Sequence, residues 1–262
     1  MKIIAVVNQK GGVAKTTTAI NLGSWLAEMG KNILLVDIDP QANLTQGLGF
    51  NKEDKTTYKI LKEEIQFDEA IYESNIEEDY WKGKLDIIPS SIELANAELE
   101  FSGEIGRETL LKEAFEESNL NQENKEDYDY MIIDCNPSLG LLTVNALSLA
   151  DSLIIPMEPS MFALDGMEQL MNVIKLIRKK INSKLTIEGV LLTRVDGRTN
   201  IGKEFEQELK EIFGDKVFET IIHQNVALSN AQTEEVPINI YDQNAKGAKE
   251  YKRLAEEVKN NG

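Results

Sequence analysis

The sequence predicts an α/β fold, a doubly wound and mainly parallel sheet flanked by helices, on three observations. Short apolar runs alternate with helix-periodic segments along the whole chain. Those runs are apolar at consecutive positions, as expected of strands covered on both faces. The first of them, Ile3-Ile4-Ala5-Val6-Val7, passes through a glycine-rich turn into a helical pattern, which puts a ligand site at the carboxyl edge of the sheet.

That turn is Lys10-Gly11-Gly12-Val13-Ala14-Lys15-Thr16-Thr17, leading into Ala19–Leu26. Its backbone N–H groups and the positive end of the helix dipole suit phosphate oxygens, so a nucleoside triphosphate is the first ligand to consider. Lys15 would reach the β- and γ-phosphates, and the Thr16 hydroxyl is placed to coordinate Mg²⁺. The ordinary G-x-x-x-x-G-K-[ST] pattern is not met, because Gln9 and Ala14 stand at its two glycine positions. The Ala14 Cβ must therefore be tolerated where a positive φ is needed. In the competing reading, the glycines serve only chain geometry and the lysines are solvated.

Asn32–Asp37 is a second buried strand ending in a carboxylate, and Pro40 keeps the following Ile38–Leu44 segment out of the sheet as a loop. Residues 51–83 are polar and acidic and resist assignment. Leu85–Pro89 reads as a strand, with helical patterns at 94–101 and 109–120 after it. Tyr130-Met131-Ile132-Ile133-Asp134 is an apolar strand whose terminal Asp134 would orient Mg²⁺, directly or through water. Strands follow at 152–156, 185–193 and 216–222, and helices at 164–181, 202–213 and 245–258. No repeat or low-complexity linker interrupts them, so residues 1–262 read as one domain in which 51–83 and 102–129 are variable acidic segments.

Composition narrows the class. Apolar residues make up 42% of the chain, enough for a substantial core, and the net charge of −17 excludes a protein that coats nucleic acid with its whole surface. A local basic patch is not excluded. No run of about eighteen apolar residues and no leader-like N-terminus is present, so a soluble, cytoplasmic protein is expected. The single cysteine, Cys135, reads as a small buried hydrophobe, and the single histidine, His223, as structural.

The second lysine of the turn, Lys10, identifies a resemblance to the deviant-loop ATPases of the ParA/MinD group, a branch of the P-loop NTPases. The resemblance extends through Asp37-Ile38-Asp39-Pro40-Gln41, Asp134–Gly140, Leu141–Leu147, Phe162–Gly166, Glu188–Thr193 and Asp196-Gly197-Arg198-Thr199-Asn200, which together look like the chromosomal ParA proteins called Soj. It implies that Lys10 acts in trans on the partner's nucleotide in an ATP-bound homodimer. It also implies that Asp39 positions the attacking water, with Asp37 as a metal-side carboxylate; Asp37 and Asp39 can also be read as a loop-capping pair. Cofactors ATP and Mg²⁺ follow. The implied activity is slow ATP hydrolysis, stimulated by a ParB-like centromere-binding partner, in plasmid or chromosome partitioning on the nucleoid. The alternatives are positioning of a protein cargo by the same cycle, or ATP-dependent ligation of a small molecule.

Two departures bear on this resemblance. Asn136 replaces a common proline and is expected to loosen the loop that senses the γ-phosphate. Ile222-His223-Gln224-Asn225-Val226-Ala227-Leu228-Ser229-Asn230-Ala231 lacks both arginines that the family carries for non-specific DNA binding. Arg198, Lys203, Lys246, Lys249, Lys252 and Arg253 remain as DNA-binding candidates, and binding is expected to be weak and easily salted out. The tail mixes charge signs and has few large apolar residues, which argues against a membrane anchor.

Overall fold

The strands assemble in the order β3-β4-β2-β5-β1-β6-β7-β8, parallel except at one edge. They are β1 (Lys2–Val6), β2 (Asn32–Asp37), β3 (Tyr72–Glu73), β4 (Lys84–Ile88), β5 (Tyr130–Asp134), β6 (Ser152–Met157), β7 (Thr186–Val195) and β8 (Val217–His223). The computed structural model describes residues 1–262 apart from 52, 75, 77–79, 122–127, 161, 162, 199 and 262, and apart from the side chains at 164 and 165. Phe162 and Thr199 of the motifs quoted above therefore lie outside the described residues, as do parts of both acidic segments.

The helices are α1 (Lys15–Glu28), α2 (Asn43–Gln46), α3 (Thr57–Leu61), α4 (Ala97–Glu100), α5 (Leu110–Glu116), α6 (Leu141–Leu149), α7 (Ala163–Lys180), α8 (Ile201–Phe213), α9 (Val226–Thr233), α10 (Ile238–Tyr241) and α11 (Lys246–Asn260). Alternation within each strand divides the core in two. Ile3 and Ala5 of β1 face a layer with α5, α6, α7 and α8, while Ile4 and Val6 face a layer with α1, α10 and α11. Both faces are covered, which is why the central strands read as consecutive apolar runs such as Ile3–Val6, Ile33–Val36 and Met131–Ile133.

β1 lies between β5 and β6, so the chain winds away from it in both directions and leaves a crevice at its carboxyl end. The loops after β1, β2, β5, β6, β7 and β8 gather there. Two expectations need correction. The pattern at 94–101 is not one helix: the four-residue α4 is flanked by 3-10 turns at Ile92–Asn96 and Phe101–Gly103. Leu94, Ala97 and Phe101 still keep a helical apolar spacing toward the core. The 51–83 segment supplies α3 and β3, and β3 pairs antiparallel with β4 over only two residues. That is too short to leave an alternation in the sequence.

Candidate functional site: a phosphate cradle at the carboxyl edge

The turn after β1 is held from three sides before any ligand arrives. Asn8 Nδ2 donates to the Pro156 carbonyl (2.7 Å) and Asn8 Oδ1 accepts from the Lys10 N–H (2.9 Å), while the Thr193 hydroxyl donates to the Val13 carbonyl (3.0 Å). Gly12 has φ +77° and Ala14 φ +65°, so the positive φ anticipated at Ala14 is present in a residue with a side chain. Ala14 immediately precedes α1, whose first turn carries no side-chain cap and no acidic residue. Its N–H groups are left for an anion. Lys15 folds back over the turn, its Nζ donating to the Lys10 carbonyl (3.3 Å). Burial lowers the Lys15 pKa, and the charges of Asp134, Cys135 and Asp39 oppose that shift.

Beside Lys15, the Thr16 hydroxyl donates to Asp134 Oδ2 at 2.6 Å. Asp134 is fully buried at the end of β5, and its other oxygen, Oδ1, has no hydrogen-bond partner. Burial pushes its carboxyl pKa well up, and the neighbouring Asp37 adds to the rise. An orphaned carboxylate oxygen next to a threonine hydroxyl and a phosphate cradle fits a divalent cation that is otherwise ligated by phosphate and water. No cluster of three or more His, Cys, Asp or Glu side chains suited to a metal occurs among the described residues.

Asp37 is arranged differently. Its Oδ1 accepts from the Asp39 N–H (3.0 Å) and its Oδ2 from both the N–H and the hydroxyl of Thr45 (2.9 and 2.7 Å). Both oxygens thus hold the loop, as in the loop-capping alternative, and burial raises its pKa to about 6 against those hydrogen bonds. Asp39 is buried as well. One of its oxygens accepts from the Gln41 N–H (2.9 Å), and its carbonyl accepts from the Ser90 hydroxyl (2.6 Å). Asn136 does not leave its loop unrestrained. Its amide donates to the Ser138 hydroxyl (3.1 Å) and accepts from the Thr143 hydroxyl (2.9 Å), so hydrogen bonds stand in for a proline ring. At the end of the same loop a Cβ on Gly140 would meet the Glu98 carboxylate, which accepts from the Leu141 N–H at the start of α6 (3.0 Å).

Lys10 extends away from the cradle to Glu158 (3.3 Å) and the Ser160 hydroxyl (3.2 Å), on a side chain that is 43% exposed. Glu158 also pairs with Arg194 (3.4 Å), a residue at φ +53° near the end of β7. Such backbone geometry in a non-glycine residue concentrates at functional sites. Arg194 opens onto a cavity of ≈ 420 Å³ beside Ala14 and Thr17, walled by Ile222–Val226, Leu228, Ser229, Gln232 and Tyr251. The volume is that of a small-ligand site. Sequence reasoning treated 222–231 only as a depleted DNA-contact segment and missed its place here. The usable signal was its position after a strand at the carboxyl edge. His223 is structural there: its ring and its N–H both engage the buried Glu250 carboxylate of α11 (2.7 and 2.9 Å).

Three of the six DNA-binding candidates already have partners in their own chain. Arg198 forks onto its own neighbour Asp196 (2.9 and 2.8 Å), which holds that carboxyl down to about 2. Lys246 sits 3.7 Å from Glu250, and Lys252 lies 5.3 Å from the Trp25 ring. Lys203, Lys249 and Arg253 are exposed. Among the described residues, no helix is long and apolar enough to cross a membrane.

Comparison with known proteins agrees with this geometry. A family model described as an AAA domain matches residues 1–187. The chain is 49% identical to the sporulation initiation inhibitor protein Soj of Bacillus subtilis, over 100% of this chain and 99% of that one. It is 40% identical to the chromosome-partitioning ATPase Soj of Treponema pallidum, over 98% and 96%. Among solved structures, a Mycobacterium smegmatis protein named cobyrinic acid a,c-diamide synthase, with bound ATP analogue and magnesium, superposes with a TM-score of 0.82 at 31% identity, covering 98% of this chain and 93% of that one. The deviant cradle, the paired carboxylate loops and full-length similarity of this order together place the chain in the Soj/ParA family of P-loop partitioning ATPases.

Proposed function

We propose that the chain is an ATP-driven dimerisation switch that partitions a chromosome or plasmid. The observation that carries the reading is the Thr16–Asp134 pair, with one buried carboxylate oxygen unpartnered beside Lys15. Thr16 and Asp134 would hold Mg²⁺, which when bound supplies charge neutralisation at the β- and γ-phosphates. The N–H groups of Gly11 to Thr17 receive phosphate oxygens, Lys15 adds a point charge, and the cavity bounded by Arg194, Gln224 and Asn225 takes the nucleoside. Asp39 orients the attacking water, and Asp37 holds the Asp39 backbone in place for it. Lys10, exposed and at the rim, reaches the nucleotide of a second copy, so the dimer exists only while triphosphate is bound. Hydrolysis, stimulated by a ParB-like partner, resets the cycle, and the ATP-bound dimer associates weakly with DNA without sequence preference.

The test is gel filtration with ATP and Mg²⁺ on wild type and two variants. Asp39→Ala is expected to keep ATP and accumulate as dimer, and Lys15→Ala to remain an empty monomer; an ATP-loaded, monomeric Asp39→Ala protein would contradict the assignment. The synthase named among the structural neighbours suggests a rival, ATP-dependent amidation of a small acid. ATP turnover without any small-molecule acceptor would dispose of it.

A further inference from the structure

A run of unpaired positive charge lies on a surface that neither the phosphate site nor the proposed DNA residues occupy. From Gln169 to Ile187 there is no Asp or Glu, although acids make up 45 of the 262 residues and about three would fall in such a stretch at the average frequency. The same stretch holds Lys175, Arg178, Lys179, Lys180 and Lys184. All five are exposed on the last turns of α7 and just beyond it, and none forms an ion pair among the described residues. Lys175, Arg178 and Lys179 are spaced i, i+3, i+4 and share one helix face. Compensation of the helix dipole accounts for cations in the last turn but not for Lys175 before it or Lys184 after the helix has ended. α7 starts after β6 at the nucleotide edge, and its end lies near Asp151 and Thr186, at the opposite edge of the sheet.

We infer that the end of α7 together with Lys184 is a phosphate-backbone contact surface for duplex DNA, which rests on the reading that the ATP-bound protein associates with DNA. The contrast with the expected contacts supports it. Arg198 and Lys246 already face carboxylates of their own chain, and the two arginines of the β8 loop are missing. Lys203, Lys249 and Arg253 are exposed and unpaired among the described residues but each has acids close in sequence, whereas α7 and Lys184 present five unpaired cations in a stretch without acid, better placed to release counterions. A bilayer is a weaker match, because Leu176 is the only large apolar side chain exposed in this stretch and surface binding needs a broad apolar face.

The experiment is an anisotropy titration of a labelled non-specific duplex with ATP and Mg²⁺ between 50 and 200 mM salt, roughly the range over which phosphate contacts reveal themselves. The combined variant Lys175→Gln, Arg178→Gln, Lys179→Gln is expected to bind at least about tenfold more weakly at the lowest salt. Its slope of log affinity against log salt should be shallower by about three, one unit per lost contact. Thermal unfolding and ATP turnover without DNA should stay as in wild type, and the charge-keeping variant Lys175→Arg, Lys179→Arg should retain binding. Wild-type affinity and slope in the glutamine variant would overturn the inference while leaving DNA binding by the family surface intact. Failure of the wild type to bind duplex even at low salt would overturn both. Loss of sedimentation with anionic phospholipid vesicles, with duplex binding unaffected, would assign the surface to a membrane and overturn it too.

Discussion

Ala14 and Gly12 occupy the same left-handed backbone region two residues apart, at φ +65° and +77°, and exchanging their side chains isolates the cost of that conformation. A Cβ added to Gly12 would meet nothing within 4 Å, so Gly12→Ala introduces conformational strain without a clash. An L-residue in this region costs about 1–2 kcal/mol. Removing the methyl group from Ala14 recovers that amount less the roughly 0.4–1 kcal/mol by which glycine favours the unfolded chain. Ala14→Gly should therefore stabilise the nucleotide-free protein by about 0.5–1 kcal/mol, and Gly12→Ala should destabilise it by about the same 0.5–1 kcal/mol, because the added strain is partly offset by the stiffer unfolded chain. For a chain of 262 residues, 1 kcal/mol is a Tm change of about 2 °C, so urea unfolding gives the clearer reading. Titration with a fluorescent ATP analogue should show the gain at Ala14 carried into the bound state, since the turn is already shaped before ligand arrives. A destabilised Ala14→Gly protein, or a Gly12→Ala protein as stable as wild type, would refute the reasoning.

Other outcomes follow from the same geometry. Lys10→Ala should bind ATP as wild type does yet stay monomeric in sedimentation; unchanged ATP-dependent dimerisation would count against action in trans. Glu158→Gln removes the carboxylate that holds Lys10 and Arg194 within their own protomer. Exposed pairs contribute about 0.2–1 kcal/mol, so dimerisation with ATP should tighten about two- to fivefold with little change in stability. A weaker dimer would show that Glu158 works at the interface instead. The folded-state pKa of Asp37, about 6, lies above its ordinary 3.8, and Asp134 is shifted in the same direction. The folded protein therefore binds protons that the unfolded chain releases: the contribution of Asp37 is full below pH 3.8 and is lost as pH rises through 6, and that of Asp134 changes in the same sense. Urea unfolding without nucleotide should reveal this loss, and Asp134→Asn should reduce it; an unaltered pH dependence in that variant would contradict the electrostatic account. Mg²⁺ with ATP should restore more stability at pH 7.5 than at pH 5.

The parallel strands and the cradle were legible because each leaves a local signature: apolar runs such as Ile33–Val36, terminal carboxylates at Asp37 and Asp134, and glycines before a lysine and threonines. What escaped depends on partners distant in sequence. Nothing around Asp37 announces that Thr45 occupies one of its oxygens, nor around Asn136 that Thr143 lies within reach. The β8 loop was read for the charges it lacks, whereas its position next to Ala14 depends on β8 joining the sheet four strands from β5. The basic end of α7 is visible in the sequence as composition, but whether its cations are paired cannot be read from a string of residues.

Glu250 grips the end of β8 through His223, and Tyr251 meets the Thr18 hydroxyl of α1 at 3.2 Å, so α11 walls the cavity beside Ala14 through Tyr251. The C-terminal helix is masonry rather than trailing rope. Deletion of residues 246–260 would breach the chamber and expose the apolar stripe of Ala248, Leu254, Ala255 and Val258, whereas a fluorophore on its outward side could sense occupancy of the chamber with the brickwork undisturbed.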